Sequence, residues 1–187
     1  MSGGETQEQI LDAVQAVIVR DGVRGASMRQ VAQQADVSLG LISYHFDDKE
    51  SLIVAAFERA TARLRAASEE AIAEVTDPAE RVRAFLRGSF DDEFLDGDYL
   101  RLRISLWAVA LTDEAIAAVD ARFFEEYASA LRGLIADARP DLDDTEVRSR
   151  SIDAIALSNG IWLNWARYRN TDDLEVGLQR CEAIILA

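Results

Sequence analysis

The chain has 187 residues, of which 49% are hydrophobic, and its 34 acidic and 20 basic side chains give a net charge of −14. With only two prolines and ten glycines, its composition excludes a sandwich, a barrel or a disordered chain and leaves ample apolar surface for a packed core. The acidity also argues against nucleic-acid binding, because proteins of that class usually carry a basic patch.

This charge is unevenly distributed along the sequence. Residues 1–57 carry eight acidic side chains against three arginines and Lys49, which is the only lysine of the chain. Most of the excess acid therefore lies after residue 57, and the objection to nucleic-acid binding is weaker for the N-terminal segment.

Apolar residues recur at three- and four-residue spacing almost throughout, which predicts an all-α protein of about nine helices. We expect a three-helix helix-turn-helix domain over residues 1–50 and a larger helical bundle over residues 51–187. The sequence has neither a secretory signal nor a stretch of ~20 apolar residues, so we expect a soluble, cytoplasmic protein without membrane contact. Cys181 lies among apolar residues and is expected to be inert packing.

Of the first three predicted helices, the second and third are short. The first ends at Asp21-Gly22, where glycine can supply a left-handed cap. Ser27 is a good N-cap for the second helix, and the third runs from its N-cap Ser38 to about Phe46. One apolar face of the second helix is formed by residues at helical spacing, which are Met28, Val31, Ala32 and Ala35.

The third helix has two different sides, and Asp36-Val37 turns the chain before it. Its inner side carries Leu41, Ile42 and His45. Its outer side carries Leu39, Gly40, Ser43 and Tyr44. Two helices joined by so short a turn predict a helix-turn-helix whose outer side could enter a major groove. On spacing alone, a helix pair in a bundle with no DNA role is an equal alternative.

Six more helices are predicted after this motif. The fourth begins after Asp47, with Glu50 three residues on as a capping box, and runs to about Val75. The fifth begins at Pro78 and is ended by Gly97. The sixth, over residues 100–111, is apolar nearly all round and is expected to be buried on every side. The seventh, eighth and ninth cover about residues 113–139, 145–168 and 172–187.

A specific combination of residues spans the third helix and the start of the fourth, namely Gly40-x-x-Ser43-Tyr44-His45-Phe46-x-x-Lys49-x-x-Leu52. With this run, residues 6–57 closely resemble the DNA-binding domain of TetR-type transcriptional regulators. The N-terminal position of the motif and the total length also match that family. The resemblance implies a homodimer that binds a palindromic double-stranded DNA operator and releases it on binding a small molecule.

The resemblance also indicates which residues meet DNA. Gly40 lacks a Cβ and lets the backbone lie close to DNA, while Arg29 can reach a base edge or a phosphate. The complete set of expected DNA contacts is Ser27, Arg29, Ser38, Leu39, Gly40, Ser43, Tyr44, His45 and Lys49. Two residues depart from the family pattern: Asp36 stands where glycine is favoured, and Leu39 stands where a polar or basic residue is common. With the net acidity, these departures predict modest affinity and a steep salt dependence.

In the bundle, residues 89–93, 104–112 and 157–163 resemble the BetI-like branch of the family, the choline-sensing repressors of glycine betaine synthesis. This resemblance implies a small organic cation such as choline as a candidate effector, and a polyamine would suit acidic pocket residues equally. Large rings with polar neighbours could cage a cation, although ordinary core is the alternative for most of them. The expected effector-binding residues are Phe90, Phe94, Arg103, Trp107, Phe123, Tyr127, Asn159 and Trp162.

The family also pairs its eighth and ninth helices with those of a second copy, and the apolar spacing in residues 145–187 is compatible with this. The alternative is that both helices close a monomeric bundle.

An enzyme is a poor alternative: one histidine leaves no His-based metal cluster, and the sequence has no phosphate loop or nucleophile elbow. We therefore expect no catalytic residue, no metal and no cofactor. A helical adaptor or a small-molecule-binding bundle, neither of which would bind DNA, also fits an all-α chain. The sequence leaves open whether the protein represses or activates.

Overall fold

All regular structure is helical in the computed structural model, which describes residues 3–187. This confirms the predicted all-α class. Within residues 3–187 there are ten helical segments, because a single-turn helix, α6, adds to the nine that the sequence indicates. The segments are α1 Gly3–Gly25, α2 Met28–Gln34, α3 Leu39–His45, α4 Lys49–Ala71, α5 Pro78–Gly88, α6 Asp92–Leu95, α7 Gly97–Ala110, α8 Glu114–Ala138, α9 Asp144–Tyr168 and α10 Thr171–Leu186. None of the helices in the described chain is long and apolar enough to cross a membrane.

The first helix does not stop at Asp21-Gly22 as the sequence suggested. Gly22 has the expected positive φ of 74°, but it kinks the chain and helical structure resumes as far as Gly25. A backbone hydrogen bond of 3.1 Å from Ala26 to the carbonyl of Gly22 closes this extra turn. A glycine with positive φ is thus a kink here rather than a terminus.

The prediction of one fifth helix as far as Gly97 is wrong. The helix α5 ends at Gly88 with Ser89 as its C-cap, and Gly97 begins α7 instead. A Cβ on Gly88 would lie 3.2 Å from the carbonyl oxygen of Ala67, so α5 passes very close to α4 at this point. The chain turns after this contact, and the separate turn α6 brings Phe94 into the core.

The helix α7 is not buried on every side as its composition suggested. Leu100, Leu102 and Leu106 are buried, but Ile104 is 38% exposed. At the end of the predicted span, Leu111 is 86% exposed. The prediction drawn from apolar residues on all sides of this helix was therefore wrong about its burial.

The chain divides into two compact units. The first comprises the chain through Ala62 together with Asp98–Ala121, and the second comprises Arg63–Gly97 and Arg122–Ala187. Packing thus groups residues beyond 50 with the N-terminal helices. The domain boundary predicted at residue 50 stays a prediction.

Each unit is held together by its own packing contacts. The first unit is built on apolar side chains from α1, α2, α3 and the first half of α4, including Val14, Val17, Val31, Ile42, Leu52 and Phe57. In the second unit, α10 packs on α9 and α5. Arg87 of α5 binds two carboxylates of α10, with its Nη2 2.8 Å from Glu175 and its Nε 2.8 Å from Glu182.

Candidate nucleic-acid interface

The helix α2 is fixed at its start by a serine cap. The hydroxyl of Ser27 accepts a 3.3 Å hydrogen bond from the backbone N–H of Gln30 and donates one of 2.7 Å to the side-chain oxygen of that residue. The predicted N-cap at Ser27 is therefore confirmed. The apolar face faces inward as predicted, since Val31, Ala32 and Ala35 are buried.

The turn between α2 and α3 is a Schellman motif. The N–H of Val37 donates to the carbonyl of Ala32 at 3.0 Å, and the N–H of Asp36 donates to that of Gln33 at 3.3 Å. Between them, Asp36 has a φ of 52°, which is the left-handed region that usually selects glycine. Asp36 thus adopts the backbone conformation that the family pattern requires, with a side chain that tolerates it better than most.

The helix α3 has the two sides that the sequence predicted. Ser38 caps it by accepting a 3.1 Å hydrogen bond from the N–H of Leu41, and Ile42 is fully buried. The opposite side, which we name the recognition face, consists of Leu39, Gly40, Ser43 and Tyr44, all of them exposed. Tyr44 is 81% exposed, and Leu39 is 44% exposed. The buried side holds α3 on the core, so the recognition face is free to meet a partner.

The start of α4 differs by one residue from the sequence prediction. The cap is Asp48, not Asp47, and its partner is Ser51, not Glu50. The Asp48 carboxylate accepts a 2.8 Å bond from the N–H of Ser51, and the Ser51 hydroxyl accepts a 3.2 Å bond from the N–H of Asp48. Hydrogen bonding of the carboxylate to Ser51, chiefly to its backbone N–H, lowers the pKa of Asp48 below its ordinary value. The prediction was wrong because two aspartates in succession each had a plausible partner three residues on.

The remaining expected DNA contacts lie around α3. Arg29 is exposed on α2. His45 is partly buried, and its ring meets the edge of Tyr44 with centroids 5.2 Å apart. The ammonium of Lys49 donates a 3.1 Å hydrogen bond to the backbone carbonyl of Arg24, so it lies at the end of α1.

Two long-range contacts that the sequence did not reveal hold this motif in place. Gln9 donates a 2.8 Å hydrogen bond to the carbonyl of Ala35, the last residue before the turn. Arg59 of α4 binds two carboxylates of α1, Glu8 at 2.8 Å and Asp12 at 2.6 Å. In each of these contacts, the two residues are 26 to 51 positions apart along the chain. Only hydrophobic spacing hinted that these helices meet.

Most of the expected effector-binding residues lie in the second unit, where the rings form close pairs. Phe123 lies 6.1 Å from Tyr127, centroid to centroid, and Phe90 lies 5.9 Å from Trp162 in an edge-on arrangement. Phe94 is buried in the same unit. The hydroxyl of Tyr127 is 3.2 Å from that of Ser89. Burial raises the pKa of Tyr127 to about 12, so this hydroxyl stays protonated and can donate.

Three of the expected effector-binding residues are placed differently. Arg103 and Trp107 belong to the first unit, where the buried guanidinium of Arg103 lies 5.1 Å from the ring centre of Trp107. A face of Trp107 is thus already occupied by a cation of the chain itself. Asn159 is exposed on α9. The grouping of all eight residues in one effector pocket stays a prediction.

A second uncovered surface runs along α9. Ile152, Ala156, Asn159 and Leu163 recur at helical spacing and are all exposed, and we name this set the α9 stripe. On α10, Val176 is 58% exposed. An apolar strip of this kind on a helix is typical of a surface that meets another protein.

The geometry of α2 and α3 defines a class of protein. Two short helices joined by a Schellman turn, the second with its inner side against the core and an exposed outer side of glycine, hydroxyl, phenol and leucine groups, form a helix-turn-helix of the DNA-binding type. Comparison with known proteins makes this class specific. Residues 10–56 match the family model of the bacterial regulatory proteins of the tetR family, and residues 78–187 match that of the BetI-type transcriptional repressor C-terminal domain. The chain therefore belongs to the TetR family of transcriptional regulators and has a BetI-type C-terminal domain.

Curated relatives agree with this assignment. The chain is 28% identical over 159 residues to the HTH-type transcriptional regulator BetI of Burkholderia lata, a match that covers 84% of this chain and 80% of the relative. It is 26% identical over 175 residues to BetI of Paraburkholderia phytofirmans, covering 91% and 87% of the two chains.

Solved structures share the same fold. A transcriptional regulator from Pseudomonas aeruginosa PAO1 superimposes with a TM-score of 0.90 at 29% identity, over 99% of this chain and 90% of that one. A regulator from Saccharomonospora viridis, solved in complex with choline, gives a TM-score of 0.82 at 16% identity, over 97% and 96% of the two chains. The second likeness concerns the fold alone.

Proposed function

We propose that this TetR-family regulator is a homodimeric repressor that binds a palindromic operator through α3 and releases it when a small molecule binds. The observation that carries the proposal is the recognition face. Its four residues are exposed, whereas on the other side of the same helix Ile42 is fully buried and Leu41 and His45 are partly buried. Such a face offers apolar, hydroxyl and phenol groups to the base edges and backbone of a major groove.

The surrounding residues supply contacts to the DNA backbone in this proposal. Ser27 and Ser38 lie at helix N-termini, where backbone N–H groups favour phosphate oxygens. Arg29 and Lys49 bring positive charge, and His45 lies beside Tyr44 at the end of α3. Because few positive side chains meet phosphates in this proposal and Asp36 lies at the turn, we expect moderate affinity. Its dependence on salt should be shallower than the sequence suggested, since the slope follows the number of phosphates neutralised.

Dimerisation is proposed through α9 and α10, the eighth and ninth helices of the sequence prediction. The α9 stripe and Val176 give these helices an exposed apolar side, which a second copy would cover. A two-fold dimer would place two α3 helices about one DNA turn apart, ~34 Å, which requires a palindromic site.

Release is proposed as a population shift that α4 transmits. This helix runs without interruption from Lys49 to Ala71, so one continuous helix carries both an expected DNA contact and residues of the second unit. We assign reading of DNA to residues 1–50 and effector binding and dimerisation to residues 51–187. The aromatic pairs around Tyr127 and Trp162 support a site for a small organic cation, and the choline bound by the Saccharomonospora viridis regulator makes choline the first candidate.

The test is selection of binding sequences from random double-stranded DNA, followed by gel shift of the selected site with and without choline, betaine aldehyde and spermidine. We expect a palindromic site that is released by one of these cations. Failure to select any sequence would overturn the proposal.

Two variants distinguish a regulator from a helical adaptor that does not bind DNA. Tyr44→Ala and Lys49→Ala should weaken operator binding while circular dichroism shows an unchanged fold. If both variants keep full regulatory activity in cytoplasmic reporter assays, α3 does not bind the operator and the protein is better described as an adaptor.

A further inference from the structure

The first unit contains a cavity that the proposed function does not use. It has a volume of about 590 Å³, which lies in the range of small-molecule sites. Its walls come from the end of α1, the start of α4, the end of α7, the start of α8 and the segment that joins these last two helices. The apolar part of the wall is formed by Val23, Ile53, Val109 and Ile116. A ligand with an apolar body would therefore find a complementary surface here.

The charged groups of the wall are not equivalent. Lys49 is partly buried, and its ammonium donates one hydrogen bond, to the carbonyl of Arg24. An ammonium has three donors, and no carboxylate within residues 3–187 lies in ion-pair distance of this one.

The two carboxylates of the wall are better satisfied than this ammonium. The carboxylate of Asp113 accepts a 3.0 Å hydrogen bond from the N–H of Ile116 and so caps α8. Glu50 is exposed, as is Arg24, so water solvates both groups. Lys49 is thus the charged group of this cavity that an anionic ligand would stabilise most.

We propose that this cavity binds a small carboxylic acid with an apolar tail, whose carboxylate pairs with Lys49. The tail lies against Val23, Ile53, Val109 and Ile116. The proposal rests on the proposed function in one respect: Lys49 is also an expected contact of the operator backbone. The carboxylate and a DNA phosphate then compete for the same ammonium, so the acid weakens operator binding directly.

The first experiment uses the full chain without DNA. Titration calorimetry compares butanoate, hexanoate and octanoate, and then 1-octanol and octylamine, which have the same tail with a neutral or a positive head. We expect octanoate to bind most tightly among the acids, and the amine to bind at least about tenfold more weakly than octanoate, because its ammonium would face that of Lys49.

Three variants locate the site. Lys49→Met keeps the apolar stem but removes the charge, and it should weaken octanoate binding at least about tenfold. Arg101→Met, the matched control, removes one positive charge from the exposed surface of α7 in the same unit and should bind octanoate as the wild type does. Ala108→Phe places a ring in the cavity wall and should also abolish binding, which gives a second test should Lys49→Met fold poorly.

Three results would overturn the proposal: no binding of any of the acids up to about 10 mM, equal binding of octanoate and octylamine, or unchanged octanoate binding by both Lys49→Met and Ala108→Phe. The final step adds the selected operator, whose affinity octanoate should lower at least about tenfold for the wild type. If no operator is selected, the proposed function fails while the titration without DNA still decides whether the cavity binds the acid.

Discussion

Two helices of this protein leave a side uncovered, and the two sides differ in character. The recognition face of α3 carries a glycine, a hydroxyl and a phenol beside one leucine, and it is confined to seven residues. The α9 stripe is mainly aliphatic and lies along a helix of 25 residues.

The chemistry of each side indicates its partner. Binding in a hydrated DNA groove is stabilised by hydrogen-bonding groups and by close approach of the backbone. Binding to a second protein surface is stabilised mainly by the burial of apolar area. Exposure alone would have grouped the two sides together; side-chain chemistry and helix length separate them. Substitutions on and around each side therefore test this contrast.

The largest effect is expected from a charge in the α9 stripe. Ile152→Glu would bury an unpaired carboxylate in the proposed dimer interface, so we expect dimerisation to weaken at least ~100-fold, or about 2.7 kcal/mol. Analytical ultracentrifugation over a concentration series measures this. Ala136→Glu, at an exposed position of α8, is the control and should remain dimeric. A dimeric Ile152→Glu protein would move the interface away from α9.

On the recognition face, side-chain bulk should affect DNA binding and folding in opposite directions. A Cβ at Gly40 has its nearest neighbour 3.9 Å away, at the Ser38 hydroxyl, so the free protein can accept one. Gly40→Ala should raise the free energy of unfolding by up to about 1 kcal/mol, because alanine is the better helix former. Gly40→Ala and Gly40→Leu should nevertheless weaken operator binding by about tenfold and about 100-fold, the cost of overpacking a close contact.

The glycine of α8 supplies the control for this pair. Gly133 is exposed and has open space around its Cα. Gly133→Ala should raise stability in the same way without changing operator affinity, as chemical denaturation and gel shift would show. Unchanged operator affinity in Gly40→Leu would mean that α3 does not lie against DNA.

At the turn, two substitutions of Asp36 separate strain from charge. Asp36→Gly relieves the positive φ and should stabilise the protein by about 1 kcal/mol, whereas Asp36→Asn should leave stability nearly unchanged. Both variants remove a negative charge close to the proposed DNA position, and both should bind the operator a few-fold more tightly at low salt, with a smaller difference at high salt. Equal operator affinity of all three proteins would show that Asp36 lies away from the phosphates.

The smallest effect concerns acid sensitivity in the second unit. The hydrogen bonds from Arg87 lower the pKa of Glu175 to about 2, below its ordinary value of 4.5. A carboxylate with a depressed folded-state pKa contributes stability above its unfolded pKa and loses it as the pH falls toward the folded one. Glu175→Gln should therefore show a flatter decline of stability between about pH 4.5 and 2 than the wild type, as thermal melts across that range would measure.

Much of this architecture follows from the sequence, because local signals agreed with one another. Apolar spacing predicted the inner and outer sides of α3, and serine caps predicted where α2 and α3 begin. The sequence did not separate α5 from α6. The helix α5 ends where Gly88 lies against α4, and the spacing of apolar residues along α5 does not reveal that contact. It also misassigned the cap of α4, because Asp47 and Asp48 each have a possible partner three residues later. The structure shows the reciprocal hydrogen bonds between Asp48 and Ser51.

The candidate sites were predictable to different degrees. The expected DNA contacts all lie within residues 27–49, so the pattern of one short segment of sequence indicates them together. An effector pocket gathers side chains from several helices, and ring-rich sequence does not distinguish a pocket from core. Trp107 illustrates this, since its ring lies against Arg103, four residues earlier on the same helix.

The single lysine also gives the protein one chemically distinct position. Lys49 carries the only ε-amino group in the sequence, and it lies at the wall of the cavity and beside the expected DNA surface. An amine-directed isotope or fluorine label would therefore give a single side-chain resonance for the whole protein. The same signal would shift when DNA or an acid approaches, so one spectrum could follow both events without any engineered labelling site.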